Sequence, residues 1–130
     1  MSCALDLYRI QLVTYGIYKP GNHIYPSPTP IMTDCPGHVK LKGLKGQFAT
    51  DREHLKKWWK ILTGGDGPNK NVRVYKVKPL GKVIPTVAQV WPSGYRGEGN
   101  PEYVKEWFIV GQTEVIEVLK NMKGDLIVEE

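Results

Sequence analysis

The stretch VKEWFIVGQTEVIEVLKNMK, residues 104–123, admits two periodicities, and the way it divides decides the fold. Its first seven residues, Val104 to Val110, have the β-branched and aromatic composition of a strand. Asn100 and Pro101 would suit a helix N-cap and first turn, yet VKEWFIV favours the strand. After Gly111 the pattern changes. Thr113 suits an N-cap, and Val115, Ile116, Leu119 and Met122 recur at helical spacing. Lys120 and Lys123 would lie near the negative end of the helix dipole, and Gly124 would stop it. The segment is predicted as a strand and then a helix, with DLIVEE (125–130) as a closing strand.

Working outward, residues 5–18, LDLYRIQLVTYGIY, alternate in their first half. Leu5, Leu7, Arg9 and Gln11 share one side, opposed to Asp6, Tyr8, Ile10 and Leu12, which predicts a central strand. Between Lys19 and Pro36 five prolines remove backbone donors and disfavour helix, so an extended loop along the surface or an edge is expected at about residues 19–36. HVKLKGL (38–44) reads as a half-exposed strand, with Val39 and Leu41 opposite Lys40 and Lys42. Thr50 and Glu53 have the spacing of a capping box, opening a helix whose Leu55, Trp58, Trp59 and Leu62 form one apolar stripe. Arg52, Lys56 and Lys60 line its other face. NVRVYKVK (71–78) and GKVIPTVAQVW (81–91) read as two strands of a hairpin, and Pro85 places the second at an edge or a bulge.

Taken together these elements predict an α+β fold: one domain over residues 1–130, with a largely antiparallel or mixed sheet covered on one face by two helices. The closing strand, helix and strand would supply one parallel pair. At 130 residues, 41% hydrophobic, the chain is long enough to bury a core without disulfides or metal. Asp6 and Arg9 interrupt what a signal peptide would need as its apolar core, and no run approaches the roughly 18 apolar residues of a membrane span. An intracellular, soluble protein with no membrane partner is expected.

Charge is divided unevenly. Residues 40–82 hold twelve of the eighteen cationic side chains against three acids, whereas residues 101–130 hold seven acids against three lysines. A cationic stretch of this density suits phosphate backbones. The leading expectation is a non-enzymatic protein that binds DNA or RNA through Arg52, Lys56, Lys60, Arg73, Lys76 and Lys78. Tyr75, among these cations, and Tyr95 and Arg96, on the glycine-rich loop WPSGYRGEGNP, are candidates to stack on bases. Trp58 and Trp59 share the stripe of Leu55 and are expected in the core. The alternative is a protein-interaction or self-assembling module, recruiting a partner by strand addition or joining copies through faces of opposite charge.

Chemistry-bearing residues are sparse. Cys35 and His38 have the short spacing of a zinc-ligand pair, and Cys3 and His23 would complete a Cys2His2 set. Those two are isolated in sequence, so no metal or other cofactor is expected. Cys35 with His38 or His54 as base and Asp34 as orienter lacks any nucleophile signature. TGGDGPN (63–69) lacks the spacing of a phosphate-binding loop and follows a helix where such a loop opens one. Catalysis is therefore not expected.

Overall fold

The computed structural model describes residues 6–12, 14, 16–33, 35, 37–62, 72–91 and 99–119. The strands are β1 (Leu7–Leu12), β2 (His23–Ile24), β3 (Gly46–Asp51), β4 (Val72–Pro79), β5 (Val83–Val90), β6 (Glu102–Val110) and β7 (Thr113–Leu119); the one helix among the described residues is α1 (Arg52–Leu62). All seven strands join one sheet in the order β2-β7-β4-β1-β3-β6-β5, and each neighbouring pair is antiparallel. β1 is central, and the proline-rich segment contributes β2 along the edge of β7, as expected.

The α+β expectation is overturned. A seven-stranded antiparallel sheet dominates, with one helix where two were predicted and no parallel pair among the described residues. The error lies in TEVIEVL. A bulge in β7 sets Lys76 opposite Glu117 but Val77 opposite Val115, so Ile116 is left over and turns outward. Thr113, Val115 and Leu119 are buried. An extra residue inserted into an alternation of two shifts the later apolar positions by one, and this strand thereby acquires a spacing that imitates a helix. The predicted closing strand, DLIVEE, lies outside the described residues.

The predicted hairpin between residues 71–78 and 81–91 does not form either. β4 turns a corner at Leu80–Lys82 and continues as β5, while β6 turns the same corner at Gly111–Gln112 and continues as β7. The partners keep one unbroken offset from Val77 opposite Val115, through the corner, to Val90 opposite Glu102. Two bonds carry the ladder round it: Leu80 N to Gln112 O at 3.1 Å and Val110 N to Lys82 O at 2.9 Å. The result is one long bent hairpin, which β1 and β3 join on its two halves. β5 is an edge strand, which accommodates Pro85.

Bending brings the inner face of the sheet round a single core of Leu7, Ile24, Ala49, Tyr75, Val77, Ile109 and Val115. Gln47, buried among them, donates to Ile24 O at 2.6 Å and Gly111 O at 3.0 Å and accepts from Thr113 Oγ1 at 3.1 Å. This amide pins β2 and the corner to β3 with no polar atom wasted. On the outer face, α1 packs Leu55 and Trp59 against Tyr8, Val74 and Leu119, and Trp58 against Ala88 and Val104. Trp58 Nε1 donates to Lys105 O at 2.9 Å. The expected core role of both tryptophans is borne out.

Two local expectations are corrected. Residues 39–41 form a 3-10 turn, not a strand: His38 N bonds Cys35 O and Leu41 N bonds His38 O, which buries Leu41 and leaves Val39 outward. Gly37 permits this approach, since its φ is +91° and an added Cβ would meet the Val87 backbone. The helix cap is Asp51, not the Thr50–Glu53 box. Asp51 Oδ1 accepts from His54 N at 2.9 Å and from the His54 ring at 2.7 Å, and Oδ2 accepts from Trp107 Nε1 at 3.3 Å.

Burial would raise the Asp51 pKa, but the bonds from His54 and Trp107 outweigh it and hold the carboxyl below its ordinary range. A depressed folded pKa means this stabilisation is present above the unfolded value of about 3.9 and is lost as pH falls through the folded one. Asp51→Ala is expected to cost about 0.5–2 kcal/mol at neutral pH. Asp51→Asn keeps a capping oxygen but not the charge, so it is expected to flatten the acid limb of the stability curve. Urea titrations between pH 2 and 7 check both; an acid limb unchanged in Asp51→Asn would remove Asp51 from the account.

Candidate functional site at the open end of the curled sheet

β1 and β3 pair only at Leu7 with Asp51 and Tyr8 with Thr50, then separate. The side chain of Arg9 fills the gap. It lies on the inner face, two residues on from core residue Leu7 and directly opposite Tyr75 of β4. Its Nη1 donates to Phe48 O at 2.6 Å and its Nη2 to Gln11 Oε1 at 2.9 Å, while its Nε is buried with no hydrogen-bond partner. No carboxylate pairs with it among the described residues. Burial lowers its pKa to about 10, the Tyr18 hydroxyl acting weakly in the other direction, so it keeps its charge at neutral pH.

A cleft of about 720 Å³ opens over this guanidinium. Arg9, Gln11 and Leu12 supply one side, and Tyr18, Ile24 and Tyr25 the other. Tyr18 is held in place twice, by its backbone N–H donating to Tyr75 Oη at 3.2 Å and by an edge-to-face contact between the rings at 5.7 Å. The proline-rich segment thus builds a wall. Arg73 stands directly across from Gln11 and brings a second guanidinium to the same end of the sheet.

The other predicted contact residues divide. Arg52, Lys56 and Lys60 all lie exposed on the outer side of α1. Lys78 is exposed and Lys76 half-buried, but they are directly opposite Glu114 and Glu117 of β7, and Lys76 also reaches Asp6 at 3.7 Å. Arg73 faces inward and the two lysines outward, so these three do not share a surface. Tyr75 is fully buried in the inner core and presents no ring to a base. Tyr95 and Arg96 lie outside the described residues, as do Cys3, Asp34 and residues 63–70.

The histidines have separate partners. His23 lies beside Gln112, His54 beside Asp51, and His38 Nε2 bonds Glu106 Oε2 while its ring stacks on Phe48 at 4.9 Å. Burial pushes the Glu106 carboxyl above its ordinary range, with the His38 bond acting against it. That pair ties the 3-10 turn to β6. No group of three or more His, Cys, Asp or Glu stands within reach of a common metal ion among the described residues.

Among the described residues, β2 and the middle of β5 offer little to an added strand. β2 has two residues, and the middle of β5 is covered by the turn, where Lys40 Nζ donates to Pro85 O and Thr86 Oγ1 to Gly37 O. Among the described residues, no helix is long and apolar enough to cross a membrane.

Comparison of the chain with models of known families, with characterised proteins and with solved structures gives no match. The sequence reading missed Arg9 as a site residue, although it had placed Arg9 and Gln11 on the face of Leu7. The signal was there: a cation and an amide on the apolar side of a central strand call for a partner.

Proposed function

We propose that the protein is a small, non-enzymatic nucleic-acid-binding module that holds phosphates through the outward face of α1. What supports this reading is the placement of Arg52, Lys56 and Lys60, exposed on one side of a helix whose other side is locked into the core. Four-residue steps set these cations about 6 Å apart along the axis. Lys76 and Lys78 are left out, because the facing glutamates offset them.

Three phosphate contacts would make log K fall against log salt with a slope of about −2 to −3. Replacing Lys56 and Lys60 together by glutamate is expected to bring that slope to about −1 or weaker and to cost tenfold or more in affinity at low salt. Both side chains are exposed, so the unfolding midpoint should hold. Fluorescence anisotropy with labelled single-stranded and duplex oligonucleotides between 50 and 200 mM salt, about the range over which such contacts are lost, provides the measurement. Undiminished binding by the double variant would remove α1 from the interface.

A further inference from the structure

We propose that the cleft over Arg9 is a nucleotide site, taking the phosphate of a nucleoside monophosphate on the guanidinium and its base against Tyr18 and Tyr25. This does not rest on the reading of α1. It starts from a cost: a charged side chain turned to the inner face of a sheet is expensive unless its hydrogen bonds are made. Arginine carries five N–H donors, and the protein supplies Arg9 with acceptors at Phe48 O and Gln11 Oε1 while leaving Nε–H with none. Nε is enclosed, so a ligand oxygen in the cleft would meet the Nη hydrogens that these two bonds leave over.

Three further observations define its class. The cleft, about 720 Å³, has the size and the apolar walls of a small-molecule site with a few fixed polar groups. Arg73, across from Gln11 with its Nη1 on Val72 O at 3.2 Å, stands beyond the cleft lining and adds positive potential at this end of the sheet, which favours a phosphate of nearly two charges over a carboxylate of one. Tyr18 is held rigid from behind by Tyr75, and Tyr25, at 67% exposure, stands at the rim. A fixed ring and an exposed one beside a guanidinium suit a flat base attached to a phosphate. That nucleotide is either free in solution or the phosphorylated end of a strand, and the chemistry is the same.

Isothermal titration of the full chain with adenosine 5′-monophosphate, adenosine and inorganic phosphate tests this. Saturable binding of the monophosphate is expected, with adenosine and phosphate each weaker by about tenfold or more, the worth of charge-assisted bonds lost. Arg9→Gln should weaken the monophosphate by a similar factor. Tyr25→Ala alters an exposed ring and should weaken it with the fold unchanged, so a misfolded Arg9→Gln would leave the question answerable. Lys56→Glu with Lys60→Glu should leave this binding intact, which separates failure here from failure of the helix face. A preference for 5′-phosphorylated over unphosphorylated oligonucleotides would identify the strand end as the source, and its absence the free nucleotide. Adenosine binding as tightly as its monophosphate, no saturable binding of the monophosphate, or unaltered affinity in Tyr25→Ala would overturn the proposal.

Discussion

Replacing Trp59 by alanine is expected to remove about 3–5 kcal/mol of stability, the range for deleting a buried aromatic. Trp59 sits between the helix and the outer face of the sheet, against Tyr8, Leu55, Val74 and Leu119, which belong to four different elements. Few side chains can move to fill the space, since Tyr8 and Val74 are on paired central strands. A domain of this size has about 5–15 kcal/mol in total, so the variant would lie close to unfolding at ambient temperature. Lys60→Ala, one residue along but on the outward face, should stay within about 0.5 kcal/mol. Urea unfolding followed by circular dichroism compares them. A Trp59→Ala chain as stable as the parent would mean that the indole is a surface group and that α1 does not dock as described.

That contrast rests on the part of the fold most legible in the sequence. Leu55, Trp58 and Trp59 fall three and four residues apart between a cap and a glycine-rich stop, and only a helix puts them together. The alternation in LYRIQL was equally plain, because a central strand with both faces covered still separates its two cores, Leu7 on one side and Tyr8 with Ile10 on the other. Where the reading failed, a backbone irregularity had changed the period. Ile116 bulges from β7, so a strand took on helical spacing, and the turn at Val39–Leu41 interrupted what looked like alternation. Asp51 displaced Thr50 as the cap because its two carboxylate oxygens reach three donors.

Charge was misread for a topological reason. The basic and acidic thirds of the chain are distant in sequence, but β4 pairs with β7, and antiparallel register sets Lys76 against Glu117 and Lys78 against Glu114. Segregation along the chain therefore becomes juxtaposition of opposite charges across a sheet. The cations of α1 lie outside this ladder. Conversely, Arg9 was hidden by its neighbourhood: it belongs to no basic run, and its position on the apolar side of β1 carries the information.

The corner shared by β4–β5 and β6–β7 supplies the second large effect. Gly81→Ala is expected to destabilise by about 3 kcal/mol, the upper part of the range for overpacking, because the added Cβ collides with the carbonyl oxygen of Val110. A side chain in the way could rotate aside, but this obstacle is backbone. Moving Val110 would lengthen its own bond to Lys82 O and the neighbouring Leu80 N to Gln112 O bond, the two that carry the ladder round the bend. Leu80→Ala, at an exposed position of the same corner, should cost far less. Amide exchange locates the damage: in Gly81→Ala the amides of Leu80 and Val110 should lose protection before those of β1, as expected if the bend is where the long hairpin opens. Equal stability of the two variants would mean that the strands bend elsewhere, and that the curled sheet owes its shape to the core alone.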